Sequence, residues 1–252
     1  MTNVQMQNVQ PFVDCSDVLG KQKGLQARAS ENGYLYFPGL LAAGDILPVR
    51  REVLQVLDCY ELLSPDFDLT EGIRKEGAYI DLEYDKPTPL RLQRLYNDIL
   101  SLRTFNAFPH HEKVTSIIES LLGEPTFVHP RHICHILFPS RFEHTTEAHQ
   151  DFHPVRGAHD TWTVWIPLGD CNSELGGVAV ACGSNQRGYL DAKMVTSGEL
   201  IGDETVWHWS PFRSGDVLMF HSLTIHQGRD NVTEDRIRLS TSARYQRISD
   251  PV

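Results

Sequence analysis

The segment Glu147-Ala148-His149-Gln150-Asp151-Phe152-His153 sets an imidazole and a carboxylate two residues apart, beside apolar and aromatic neighbours. In an extended chain, side chains at i and i+2 point the same way with Cα atoms about 6.5–7 Å apart, so His149 and Asp151 can converge on one metal ion. Two donors do not make a site. A second imidazole would complete a two-histidine, one-carboxylate face, which leaves open positions on Fe(II). The best-placed donor is His226 in SLTIHQGRDN, after the apolar run DVLMF. Taken alone, a His-x-Asp pair is common by chance, and a single histidine after a strand is more often simply packed. His153 competes for the third position, because in a strand it shares a face with His149 and Asp151. Three donors from one extended segment would span about 13 Å, too far to close on one ion without a bend. His226 is therefore preferred, and His153 is left to line a pocket or support the ligands.

The run IRLSTSARY near the C-terminus reads as a strand in which Arg236, Arg238, Ser240, Ser242 and Arg244 share one face. A guanidinium turned into a β interior needs an anionic partner, because an unpaired buried charge is costly. The distal carboxylate of 2-oxoglutarate would supply one, with a two-pronged arginine contact and a hydroxyl alongside. A solvated face paired with acidic neighbours is the plainer arrangement, and the strand taken alone favours it. His129, His132 and His135 are spaced by three, but their surroundings read as extended. His129 and His135 then share one face and His132 takes the other, which argues against a metal cluster there.

These residues need a scaffold. The chain has 252 residues, 40% hydrophobic, with 23 Lys+Arg against 33 Asp+Glu and a net charge of −10. That length suits one domain with a sizeable core. The acidic balance removes the attraction to phosphate on which nonspecific nucleic-acid and anionic-membrane binding depends, so neither is an expected partner. No apolar run reaches the ~18–20 residues of a membrane span, and the polar start MTNVQMQNVQ lacks a signal-peptide pattern, so a cytoplasmic protein is expected. The five cysteines are odd in number, widely spread and without a CxxC pair, as reduced thiols would be. Glycine-rich phosphate loops, GxSxG and HExxH are all absent. After Gly123, short runs such as ICHILF, TWTVWIPL, GVAVAC and DVLMF alternate with turn residues, which predicts an antiparallel sandwich or barrel. Ahead of it, residues 1–15 read as a loose tail. Helical patterns follow from Ser16, over 43–60, 90–105 and 110–122, with a strand after Gly33 and an irregular stretch at 61–89 suited to a lid.

As an ordered set, several segments resemble the phytanoyl-CoA dioxygenase family of Fe(II)/2-oxoglutarate-dependent oxygenases. They are HQD at 149–151, VWIPLGDCNSELGGVAVACGS at 164–184, SGDVLMFHSLTIHQG at 214–228, and Asn231 with RIRLSTSARYQ at 236–246. ENGYLYFPGLL resembles the family's opening helix-to-strand segment. The likeness runs from about residue 24, with little signal between 60 and 125. It implies a mainly β fold with flanking α-helices: a double-stranded β-helix, or cupin-like jelly roll. One domain would span 16–252, with helical support and a lid in 16–123 and the jelly-roll core in 124–248.

The resemblance implies His149, Asp151 and His226 as Fe(II) ligands at the catalytic centre, and Arg238 with Ser240 as the partners of the 2-oxoglutarate carboxylate. Arg236 is the runner-up, because Arg238 lies twelve residues after His226 and many relatives use a slightly shorter interval. It also implies that O2 and 2-oxoglutarate are consumed, succinate and CO2 are released, and a substrate is oxidised, by default hydroxylated. Desaturation, epimerisation and ring formation stay open, whereas Asp151 argues against halogenation, since related halogenases carry a small residue there. Two departures are visible: ICHILFPS lacks the lysine common in that strand, and Asn185 stands where a histidine is usual. The first leaves open which other groups hold 2-oxoglutarate. The charge turns the substrate away from a CoA thioester and toward a small metabolite. Phe152, His153, Arg156 and Trp162 are the candidate contacts, with Trp207 and Trp209 beside them, and all three tryptophans are at least as well suited to a core. A noncatalytic or zinc-binding jelly roll, and a metal isomerase or dioxygenase that does not use 2-oxoglutarate, are the competing functions. Neither requires Arg238 with Ser240.

Overall fold

Strand alternation decides which way each residue of the C-terminal half faces. The computed structural model describes residues 4–79, 89–140 and 145–251. Its strands are β1 (Asn8–Gln10), β2 (Tyr34–Phe37), β3 (Thr126–Val128), β4 (Ile133–Leu137), β5 (Trp162–Pro167), β6 (Gly177–Ala181), β7 (Val206–His208), β8 (Val217–His221), β9 (His226–Arg229) and β10 (Arg238–Arg247). Its helices are α1 (Gln22–Asn32), α2 (Ala43–Cys59), α3 (Leu90–Leu100), α4 (Arg103–Ala107), α5 (Glu112–Leu122), α6 (Phe152–Val155) and α7 (Ala192–Thr196).

The larger sheet runs β2-β8-β5-β10-β3, with β4 also paired to β10; the smaller runs β1-β7-β6-β9. Along β5, Trp162, Val164 and Ile166 face the helices, whereas Trp165 faces the smaller sheet; β2 and β8 divide in the same way. On β10, Leu239, Ala243 and Tyr245 join the helix-side core. Arg238, Ser240, Ser242 and Arg244 therefore lie on the opposite face. The helices α1, α2, α3 and α5 bury the outer face of the larger sheet, and a second core of Tyr34, Tyr36, Trp165, Val178, Phe212 and Phe220 joins the two sheets. This is the expected jelly roll with helical support, open rather than closed into a barrel among the described residues.

Gly33 couples the helical and β parts. It ends α1 at φ 75°, a left-handed conformation that only glycine adopts freely. A Cβ there would lie 2.5 Å from Asn185 Oδ1 and 2.7 Å from Thr224 Oγ1.

Several expectations are corrected. The tail is not loose from Asn8 onward: β1 pairs in parallel with β7, and Phe12 and Cys15 are buried. A polar segment escaped the periodicity test because one aromatic and one strand edge suffice to anchor it. The helical stretch 90–105 breaks into α3 and α4 at Ser101 and Leu102. Within the expected lid, Leu62, Leu63 and Ile73 are buried and Ile73 bridges to Arg236, while most other residues between 61 and 79 are exposed. The remainder of that lid, 80–88, lies outside the described residues.

Candidate metal centre

His149 and His226 face each other across an antiparallel bridge, each backbone N–H bonded to the other's carbonyl at 3.0 Å. A doubly bonded cross-strand pair sets its two side chains next to each other, and the ring centroids are 4.2 Å apart. Each Nδ1 lies against a backbone carbonyl: Glu147 at 2.8 Å for His149 and Thr224 at 3.0 Å for His226. A carbonyl can only accept, so both Nδ1 atoms carry the hydrogen and both Nε2 atoms keep a lone pair. These lone pairs face Asp151, with Nε2 to Oδ1 distances of 3.5 Å from His149 and 3.9 Å from His226. Burial pushes His226 down to about 3, with repulsion from His149 adding to it, so the ring is neutral and free to donate.

Asp151 is 2% exposed. Burial raises its carboxyl, but the surrounding positive charge, the Arg244 guanidinium foremost, holds it well below the usual carboxylate range. Thr163 Oγ1 donates to its Oδ2 at 2.5 Å. The ligand atoms of His149, Asp151 and His226 all lie within 4.8 Å of one another. Two imidazoles and one carboxylate, presented together, form a donor set that fits Fe(II).

The chain leaves the extended conformation at Asp151 and turns into α6, where Pro154 sits in the first turn and costs no hydrogen bond. This turn separates His153 from the trio. His153 is exposed, and its Nδ1 lies 2.9 Å from the Tyr189 hydroxyl. Arg156 lies over the Phe152 and Tyr189 rings, at 6.0 and 5.8 Å from their centroids. Phe152, His153 and Arg156 thus gather at Tyr189, while Pro154 and Val155 line the central cavity. Trp162 is displaced further: alternation along β5 turns it into the helix-side core, where its Nε1 donates to Asp160 at 3.1 Å. Trp207 is buried on the outer face of the smaller sheet, and Trp209 stacks under Arg229.

A cavity of about 570 Å³ lies between the sheets over the trio. Arg238 lines it and is buried; its Nη1 donates to Gly177 at 2.9 Å and Arg229 at 3.3 Å, while its Nε has no partner among the described residues. Burial lowers the Arg238 pKa, a mark of the cost of holding that charge away from water. Beside it, the Ser240 hydroxyl is buried and also without a partner. Two adjacent orphaned donors fit a small carboxylate. Arg236 is exposed and lines a different hollow.

Sequence reasoning did not connect Thr163, His135 or Arg244 to the ligands. His135 and Thr163 line the cavity, as does Arg131. The threonine set between Trp162 and Trp165 in WTVW was the available signal for an inward polar group.

A family model described as "Phytanoyl-CoA dioxygenase (PhyH)" matches residues 29–240. Among curated proteins, the 1-deoxypentalenic acid 11-beta-hydroxylase of Streptomyces arenae is 26% identical over 258 residues, covering 94% of this chain and 86% of the relative. Its namesake from Streptomyces exfoliatus is 26% identical over 263 residues with the same coverage. Among solved structures, the epimerase SnoN in complex with Fe3+, alpha ketoglutarate and nogalamycin RO superposes with a TM-score of 0.67 at 21% identity, over 92% of this chain and 86% of that one. The alpha ketoglutarate dependent carbocyclase SnoK gives 0.65 at 20% identity, over 96% and 88%. At such identities the structural likeness speaks for the fold.

Proposed function

The chain belongs to the phytanoyl-CoA dioxygenase family, and from that premise we propose that it is an Fe(II)/2-oxoglutarate-dependent oxygenase that oxidises, by default hydroxylates, a small metabolite with release of succinate and CO2. His149, Asp151 and His226 would hold the iron, and Arg238 with Ser240 would hold the distal carboxylate of 2-oxoglutarate. The bound iron would supply the activation of O2, which no protein side chain can perform. The observation that carries this reading is the pair of carbonyl-anchored imidazoles: with both Nδ1 atoms committed to carbonyls, the two Nε2 atoms and the Asp151 carboxylate are left facing one point where a cation would be shared.

This chain's own residues do the rest. The cross-strand pairing of His149 with His226 fixes two donors before any ligand arrives. Arg238 recognises a carboxylate by charge and shape, and burial under the smaller sheet keeps water from competing. Apolar walls at Ile133, Val155, Val178 and Phe220 suit a compact, largely apolar substrate. The curated relatives are named for an 11-beta-hydroxylation of an acid, which favours hydroxylation over the epimerase and carbocyclase outcomes of the structural neighbours. The unpaired Arg238 and Ser240 donors weigh against a plain binding jelly roll. Five free cysteines agree with a cytoplasmic protein, and among the described residues no helix is long and apolar enough to cross a membrane.

The test is anaerobic titration of the Fe(II)-loaded protein with 2-oxoglutarate, followed by the weak visible charge-transfer band. A band that saturates in the wild type and is missing in Asp151→Ala supports the reading. Its absence from the wild type, or succinate formation that survives Asp151→Ala, overturns it.

A further inference from the structure

Asp151 has two carboxylate oxygens with unlike surroundings. Oδ2 receives Thr163 Oγ1 at 2.5 Å, Arg244 Nη2 at 3.0 Å and Arg244 Nε at 3.2 Å. Among the described residues, Oδ1 receives a hydrogen bond only from Arg244 Nη2, at 3.1 Å, and it is the oxygen turned toward the two imidazoles. Arg244 and Thr163 are directly opposite each other in the β10 and β5 register, so a single cross-strand pair grips one carboxylate oxygen. The guanidinium is itself secured, because its Nη1 donates to Ser242 Oγ at 3.2 Å and His135 Nε2 lies 2.9 Å from that same hydroxyl. The terminal torsion of an aspartate is broad and two-fold, so nothing in the side chain alone selects which oxygen meets a ligand.

We propose that Arg244 and Thr163 form a positioning clamp for Asp151, immobilising Oδ2 and leaving Oδ1 as the oxygen presented with His149 and His226. This rests on the reading of the trio as a metal site. Arg244 acts through Asp151 and is a positioning residue. Its own charge opposes a cation, so its contribution must come from the geometry it enforces rather than from attraction.

The test uses Co(II) alone as the probe, titrated into the full chain and read by its visible absorption. Removing a partner that orients a metal ligand typically weakens binding by about 10–100-fold, and that loss is expected for Arg244→Gln together with an altered band shape. Thr163→Val should weaken binding less. Arg244→Lys should recover part of the affinity, since one ammonium can still donate to Oδ2. Should Arg244→Gln fail to fold, the near-isosteric Thr163→Val carries the test, with an altered band shape expected. Unchanged or tighter Co(II) binding with an unaltered spectrum overturns the proposal, as does an Arg244→Lys protein no better than Arg244→Gln. An effect confined to the 2-oxoglutarate KM also overturns it and makes Arg244 a cosubstrate contact. Asp151→Ala is titrated in parallel. If it loses Co(II) while Arg244→Gln does not, only the clamp fails; if it keeps Co(II), the metal reading itself fails.

Discussion

Two arginines on one strand face divide the work at the residue scale. Arg244 spends its donors on Asp151, whereas Arg238 keeps a buried Nε unused. The alternation of RIRLSTSARY was enough to place both on one face, and the structure separates Arg238 from Arg236 because Arg236 precedes β10 and is exposed. What the sequence could not reveal is which guanidinium was already paired, since Thr163 and Asp151 reach Arg244 from segments more than 80 residues away. An ammonium keeps the charge of Arg238 but loses its planar fork. Arg238→Lys is therefore expected to weaken 2-oxoglutarate binding by about tenfold or more, a cost of roughly 1.4 kcal/mol. Arg236→Gln should leave it unchanged. Isothermal titration of the metal-loaded proteins checks both, and a loss confined to Arg236→Gln would move the carboxylate contact to that residue.

At the scale of elements, the β-rich half was legible because its strands are short, turn-bounded and alternating; the expected runs contain β4, β5 and β6 and most of β8 and β10. β9 escaped because His226-Gln227-Gly228-Arg229 has no apolar alternation, and it is held instead by backbone pairing with β6 and with the 146–149 segment. The turn into α6 was also hidden, since EAHQDFH alternates well enough to look extended throughout. The N-terminal segment was misread for a similar reason. There Phe12 packs at 5.2 Å from the Tyr34 and Tyr36 rings and 5.6 Å from Phe212, inside the core that joins the sheets. Truncating such a buried ring typically costs about 3–5 kcal/mol, so Phe12→Ala should lower the urea midpoint accordingly with little change in slope. A loss below ~1 kcal/mol, the range of an exposed substitution, would restore the loose tail.

Over the whole molecule, a chain of net charge −10 gathers Arg131, Arg238 and Arg244 around a cavity whose one carboxylate among the described residues is Asp151. That contrast was only partly visible in composition, which reports the excess of acid but not where the few bases go. The site also spans the architecture: His226 belongs to the smaller sheet, Asp151 is gripped from β5 and β10 of the larger, and His149 joins them through its bridge. An ion held by all three would tie the sheets together at their open end and stabilise the sandwich as a unit. A ligand that binds only the folded state at 100 times its Kd adds about 2.7 kcal/mol. For a domain of this size each kcal/mol moves the Tm by about 2–4 °C, which gives an expected rise of roughly 5–11 °C on adding Co(II) to the metal-free protein. A chelator should reverse it. Asp151→Ala, measured against its own metal-free form, should show no comparable rise, because two imidazoles from one bridge no longer connect to the larger sheet. An equal rise in that variant would place the stabilising ion elsewhere and remove the trio from its role.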